Sequence, residues 1–331
     1  FDNTTHSASY LRLIALDQNF GNLASDINNK GVNNFINQSF RVKLKLDTVG
    51  GEWVNDVNFN FSNSSTDQNY SNVLVSKSTV SGGDGTFGND RNYFTYQSDI
   101  RKKINGINLE SGIKTSVLHF NNHSEYTKNS GGQISPDPFR TSSFRYSEQI
   151  NAAYVQGSKT WGPVILKVGS RLEQTIMQGH QLIPKDTTFA VNRTDAFPYV
   201  YLSRKIFSIM NYEVRSFLVY RKTISRPSYD YLNPFAKYID PFTYEVGNPN
   251  LKPQFTTNYE ANISVDDKPL FAYGVNETTD IFTSVVYQSP TNKQVSYRTY
   301  DNLGKSKETY FRIVWIKVFV FGVGFKKQTG Y

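Results

Sequence analysis

A chain of 331 residues suffices for one large domain or two ordinary ones, and it carries no cysteine, which excludes a disulfide framework, a cysteine-based zinc site and a thiol nucleophile. The net charge of +8 is dispersed in short runs such as Arg101-Lys102-Lys103 and Lys326-Lys327, whereas a nucleic-acid reader concentrates its charge on one helix or stripe. A solvated surface or lumen is the better reading, and no nucleic-acid partner is expected.

The first residues, 1–20, show no basic leader, apolar core or small-residue cleavage site, so no signal peptide is read there. From residue 40 onward, apolar side chains recur at every second position. Phe40, Val42, Leu44 and Leu46 share one face, and Arg41, Lys43 and Lys45 the other. Val57, Phe59 and Phe61 alternate with Asn58 and Asn60. A polar, glycine-rich stretch over 78–92 reads as a loop; its Gly82-Gly83-Asp84-Gly85 lacks the repeated Asp spacing of a calcium loop and reads as flexible. Asn105-Gly106 marks a hairpin turn. Ile107, Leu109, Ile113 and Val117 then lie opposite Asn108, Glu110 and Lys114. Residues 121–138 read as a second long loop, with His119, His123 and Glu125 at its mouth; a strand spreads these three too far apart for a metal site. Residues 151–161 admit a helix start but are flanked by strand patterns and read as strand. The Trp161-Gly162-Pro163 turn leads to Val164, Leu166, Val168 and Leu172 against Lys167, Arg171 and Glu173. A third long loop spans 180–195. Tyr212, Val214, Leu218, Tyr220 and Ile224 oppose Glu213, Arg215, Arg221 and Thr223. A proline-rich knot follows, and then Phe255, Tyr259, Ala261, Ile263 and Val265 alternate with Thr256, Asn258, Glu260, Asn262 and Ser264. Period two means strands that are apolar on one face only.

Helical periodicity is nearly absent, so no helical layer is on hand to cover these faces. A two-sheet sandwich would cover them, but three features favour lipid instead. The strands run to near ten residues. Tyrosine and phenylalanine, 22 and 24 in number, recur near strand ends, as in 92–96, 197–202 and 284–288. Tight turns alternate with long loops, as in outer-membrane barrels, where the turns are periplasmic and the loops outside. Mean hydropathy is only −0.50, because every second residue and every loop is polar. A bilayer tolerates no unpaired backbone, so such strands close on one another. The expected fold is all-β, an antiparallel transmembrane β-barrel, and at about 22–25 residues per strand with its connection the chain supplies about 13–15 strands.

The knot and its surroundings carry a family resemblance. Ser225-Arg226-Pro227, Leu232-Asn233-Pro234-Phe235, Asp240-Pro241, the run Gly247-Asn248-Pro249-Asn250-Leu251-Lys252-Pro253, and Asn258-Tyr259-Glu260 follow in order. Supporting matches lie at 148–159, 166–181, 197–206, 276–282 and 302–306. This series resembles the barrel of TonB-dependent outer-membrane receptors, particularly the outer-membrane β-barrel family common in Bacteroidota. The resemblance covers most of residues 90–306; residues 307–331 depart from it. It implies residence in the outer membrane, an incomplete portion of a larger, about 22-stranded barrel, and energised uptake of a scarce nutrient: a siderophore, glycan or peptide. It also implies an amino-terminal plug and a periplasmic energy-coupling protein. No plug is read in this chain, which is taken as one partial barrel domain over 1–331.

In the knot, Pro227, Pro234, Pro241, Pro249 and Pro253 remove ladder donors and forbid a central strand. Tyr229, Tyr231, Phe235, Tyr238, Phe242 and Tyr244 are expected to pack it down, and Gly247 to supply a positive φ. The candidate site is therefore this loop: Arg226, Pro227, Leu232, Asn233, Pro234, Asp240, Pro241, Gly247, Asn248, Pro249, Leu251 and Pro253, with Glu260 on the following strand. Its role is either structural or the shaping of a substrate path. No G-x-S-x-G elbow, Walker loop or H-E-x-x-H motif occurs, so no catalytic residue, cofactor or metal ligand is assigned. Two other functions stay open: a passive outer-membrane porin, and a soluble glycan-binding β-sandwich.

Overall fold

The computed structural model of the chain describes residues 2–15, 18–74, 79–138, 140–183, 186–209, 212–234, 237–240, 243–266, 268–290 and 293–313. The elements are β1 (Asp2–Ala15), β2 (Gln18–Lys45), β3 (Glu52–Leu74), β4 (Thr79–Ile104), β5 (Ile107–Ser130), β6 (Gln133–Pro136), β7 (Ser142–Trp161), β8 (Val164–Ile183), β9 (Thr187–Ile209) and β10 (Tyr212–Ser225). There follow a one-turn helix, α1 (Tyr229–Leu232), then β11 (Lys237–Asp240), β12 (Thr243–Glu245), β13 (Gln254–Val265), β14 (Lys268–Thr279), β15 (Phe282–Gln288), β16 (Ser296–Asn302) and β17 (Ser306–Ile313).

One 13-stranded sheet holds almost all of this, in the order β1-β2-β3-β4-β5-β7-β8-β9-β10-β13-β14-β17, with β6 attached to β5. Every neighbouring pair is antiparallel, so the wall is a succession of hairpins. The stretch 151–161, ambiguous in composition, lies in β7. The short turns at Asn105-Gly106 and Gly162-Pro163 sit at the same end of the wall. Asn105 and Gly106 both take positive φ, 50° and 77°, as a two-residue turn matched to strand twist requires. Among the described residues β1 and β17 are each paired on one side only.

The strands are much longer than expected. β2, β4 and β5 have 28, 26 and 24 residues, where about 9–11 cross a bilayer. The three polar stretches expected as loops are largely strand. β4 begins at Thr79, β5 continues to Ser130 before a Gly131-Gly132 turn into β6, and β8 and β9 are separated only by 184–186. Ladder hydrogen bonds need no apolar side chains, and where glycine and polar residues fill both faces the alternation that betrays a strand is lost. Gly82, Gly83 and Gly85 are thus part of β4 and not a flexible loop; a Cβ at Gly85 would lie 2.1 Å from the Tyr126 ring packed over it from β5.

Burial along the strands is inverted relative to a water-soluble sheet. Leu172 is 55% exposed while its neighbour Glu173 is 8% exposed; Ile263 is exposed while Ser264 is fully buried. The register aligns Leu166, Leu202, Leu218, Ala261, Tyr273 and Phe311 in one row across six strands, and the larger side chains of β9, β10, β14 and β17 in it are exposed. On the opposite face Arg41, Asp56, Gln97, Lys114, Ala152, Glu173 and Asp195 form a row across seven strands. Ion pairs run along this face, including Arg41–Asp56 at 2.5 Å, Arg193–Asp195 at 2.8 Å, and Arg171–Glu173. Val214 is an exception to the outward placement of the apolar set. It is buried, next to a bulge in the β9–β10 register.

Candidate functional site

The polar face of the wall changes character toward the loop end. On β5, β7, β8 and β9 the positions that carry Lys114, Ala152, Glu173 and Asp195 near mid-strand carry Phe120, Tyr146 and Phe144, Met177, and Phe189 and Val191 farther on. Phe120, Phe144, Tyr146 and Met177 are buried there together with Leu232 and Leu251 of the knot, with Tyr229, Tyr231, Phe282 and Tyr300 packed around them. The knot therefore folds onto this face of the wall, here called the inner face, and shares one apolar core with it.

Its path follows from its residues. β10 ends at Ser225 because Pro227 has no donor for the ladder. Arg226 turns across β9 to β8, where its Nη2 donates to Glu173 Oε2 at 2.6 Å and to Thr175 Oγ1 at 3.1 Å. Glu173 is held from its other side by Arg171. This fixes the start of the loop on the wall. α1 follows and directs Tyr229 onto Phe120, with ring centroids 4.1 Å apart, and Leu232 into the core. Burial raises the Tyr229 phenol above its ordinary pKa, with the Asp230 carboxylate adding in the same direction; a hydrogen bond from Asn233 opposes them.

The Gly247–Pro253 segment closes the knot. Gly247 N–H donates to the Asn233 carbonyl at 2.7 Å and Asn248 N–H to the Tyr231 carbonyl at 2.6 Å. Gly247 does not take a positive φ, contrary to the expectation from sequence. Its need is for close approach: a Cβ there would lie 2.5 Å from the Asn233 carbonyl oxygen and 2.8 Å from that of Tyr231. Asn248 folds the next turn by accepting the Asn250 N–H on its side-chain oxygen at 3.0 Å, and its amide donates to the Tyr300 carbonyl at 3.1 Å. Leu251 enters the core, and Pro253 is buried just before β13. Pro234 and Pro249 are half-buried along the same path, and the Asp240 backbone ends β11. Pro241, Phe235 and Phe242 lie outside the described residues, and so does the tail 314–331. Glu260 stands apart from the knot, accepting hydrogen bonds from Tyr310 at 2.7 Å and Asn262 at 2.8 Å within the wall.

A second segment, between β14 and β17, completes the site. Its strands β15 and β16 join β11 and β12 in a four-stranded sheet of order β11-β12-β16-β15, in which β12 and β16 are parallel. Tyr300 stacks on Tyr231 at 3.9 Å, Phe282 meets Tyr231 at 6.1 Å, and Arg298 pairs with Glu245. Asn302 binds the knot twice, accepting from Lys252 N–H at 2.9 Å and donating to the Lys252 carbonyl at 3.0 Å. None of these partners was assigned a role from sequence. Asn302 stands in a stretch that carries the family resemblance, but its contacts lie about fifty residues away along the chain and leave no local signal.

An outward apolar belt, a charged inner face and a long loop folded onto that face define the wall of a membrane-spanning β-barrel. The chain belongs to the outer membrane protein beta-barrel family, whose model matches residues 44–317. The protein is accordingly an outer-membrane one. No curated protein matches the sequence. Among solved structures, a double mutant of the Serratia marcescens hemophore receptor HasR, in complex with its hemophore HasA and heme, is similar at 10% identity, over 88% of this chain and 51% of that one, with a TM-score of 0.44. The ferric citrate transporter FecA in its unliganded form is similar at 12% identity, over 94% and 52%, with a TM-score of 0.42. The ferric preacinetobactin receptor BauA from Acinetobacter baumannii is similar at 12% identity, over 96% and 58%, with a TM-score of 0.37. The chain spans about half the length of the first two.

Proposed function

We propose that the chain is the wall-and-loop portion of a TonB-dependent outer-membrane receptor that takes up a scarce nutrient with energy supplied from the periplasm. The supporting observation is the knot itself. The ordered motif series that resembles such receptors builds one compact body, tied by Arg226 to Glu173 and by Leu232 and Leu251 to the inner face. A loop so placed narrows the path along the inner face and exposes a fixed surface at the loop end. In this reading residues 1–331 form one partial barrel domain of an about 22-stranded wall. A plug domain, the remaining strands and the contact to an energy-coupling protein belong to the rest of a longer protein. The charged rows on the inner face, such as Arg41–Asp56 and Arg193–Asp195, then line a wet interior around the plug. The chain's own contribution is binding and guidance, with no catalysis.

The test is made on the full-length protein. Reconstituted in planar bilayers, a plugged receptor passes no steady ion current, and its uptake in cells stops when the proton gradient is collapsed. A steady open-channel current, with uptake indifferent to the gradient, sinks this reading and selects the passive porin.

A further inference from the structure

The four-stranded sheet carries a pattern that the knot does not use. In register, Tyr244 of β12 pairs with Tyr297 of β16, and Tyr297 with Tyr287 of β15. Tyrosine occupies one row across these three strands. Directly paired residues lie on the same face of a sheet, so the row runs across that face at about 4.8 Å per strand. The Tyr244 and Tyr297 rings stack at 5.3 Å and 12°, and the Tyr287 ring lies 5.8 Å from that of Tyr297. Tyr300, which packs on Tyr231 in the core, is three positions from Tyr297 and so belongs to the opposite face. The row is therefore turned away from the core, and Tyr287, on an outer strand of the sheet, is 41% exposed.

The company the row keeps points to a ligand class. Along β16 and β15 the same face holds Thr299, Asp301, Thr283 and Val285, and the Tyr287 hydroxyl donates to Asp301 at 3.3 Å. Arg298 belongs to the other face, in register with Glu245 and Val286. The described tyrosine face thus offers rings, hydroxyls and a carboxylate without a cation. An anionic ferric chelate or a phosphate meets Asp301 with no countercharge. A neutral sugar suits all three: its C–H faces lie on phenol rings, and its hydroxyls bond to Asp301, the exposed Thr283 and the phenols. A row of rings at regular spacing fits a chain of sugars better than a single one.

We infer that this tyrosine row is a binding platform for a neutral oligosaccharide at the loop end of the wall. The inference rests on the receptor reading for its position at the outer mouth. It is tested by equilibrium binding, which needs neither plug motion nor energy. The full-length receptor in detergent is titrated calorimetrically with maltohexaose, cellohexaose, xylohexaose and mannohexaose, and with ferric citrate and hexalysine beside them. At least one neutral hexasaccharide binds saturably. Tyr287→Ala weakens that binding about tenfold, the loss of a stacked ring, whereas Tyr287→Phe keeps the ring and stays within about threefold. Protease resistance of the 226–253 loop checks that each variant retains the packed body. The platform is refuted if no neutral hexasaccharide binds, if sugar binding is the same in folded Tyr287→Ala and Tyr297→Ala proteins, or if Tyr287→Ala abolishes binding of ferric citrate or hexalysine instead. Loss of the platform with gradient-driven uptake intact leaves the receptor reading standing; a steady ion current removes that reading and leaves the sugar titration to be judged by itself.

Discussion

The two halves of β8 follow opposite rules. Near mid-strand Leu172 points out and is exposed, while Glu173 points in and is buried between Arg171 and Arg226. Four residues on, the inner face carries Met177, sealed against Phe144, Tyr146 and the knot. The lower half is greasy outside and charged inside; the upper half is packed inside like a water-soluble protein. One strand serves both because something different covers it at each level. Hydrocarbon takes the outer face below, and above it the 226–253 loop supplies the missing layer to the inner face.

Substitutions that exchange the two environments test this contrast. The largest effect is expected in the upper half. Phe144→Ala removes the best-buried aromatic of the shared core, 1% exposed, and is expected to cost about 3–5 kcal/mol, read as release of the knot by hydrogen exchange across 226–253. In the lower half Leu172→Arg places a charge on the lipid side and is expected to cost about 2–4 kcal/mol in urea unfolding from bilayers. If Leu172→Arg is silent while Phe144→Ala is not, lipid does not cover the lower half. Gly247→Ala is next. The new methyl meets backbone atoms of Asn233 and Tyr231 that cannot swing aside, and about 1–3 kcal/mol of overpacking is expected, with the knot opened to protease and the wall intact.

The smallest effect is in pH dependence. The buried phenol of Tyr229 has its folded-state pKa raised, so its contribution is complete below the unfolded value of about 10 and declines as pH climbs through and beyond it. Knot protection should fall above about pH 10, and Tyr229→Phe should flatten that fall. A fall of equal size in Tyr229→Phe assigns it to other groups.

The wall was legible because its chemistry is local. Leu172 beside Glu173, or Ile263 beside Ser264, declares two faces in two residues, and the aromatics near strand ends favour lipid over a second sheet as the cover. The strand extensions were hidden for the complementary reason: 82–85 is mostly glycine and 121–130 is polar at every position but Tyr126, so nothing in their order distinguishes ladder from loop. The prolines mark where the main ladder stops between β10 and β13. The contents of that segment were less accessible. Gly247 is glycine because another stretch of backbone lies against it, a demand invisible without that neighbour. The second half of the site, with Tyr300 and Asn302, comes from a different hairpin, and the tyrosine row is assembled from three separate segments of which none looks unusual alone.

The parallel pairing of β12 with β16 has a mechanical consequence. These two short strands come from different hairpins, and with Asn302 gripping Lys252 they buckle the loop after β10 to the loop after β14. The shared ladder makes the two loops one body, whose chain leaves the wall at Ser225, Gln254, Thr279 and Ser306. Anything that seats on its outer surface is thereby linked, through α1 and Arg226, to the charged lining on β8, five strands from β17.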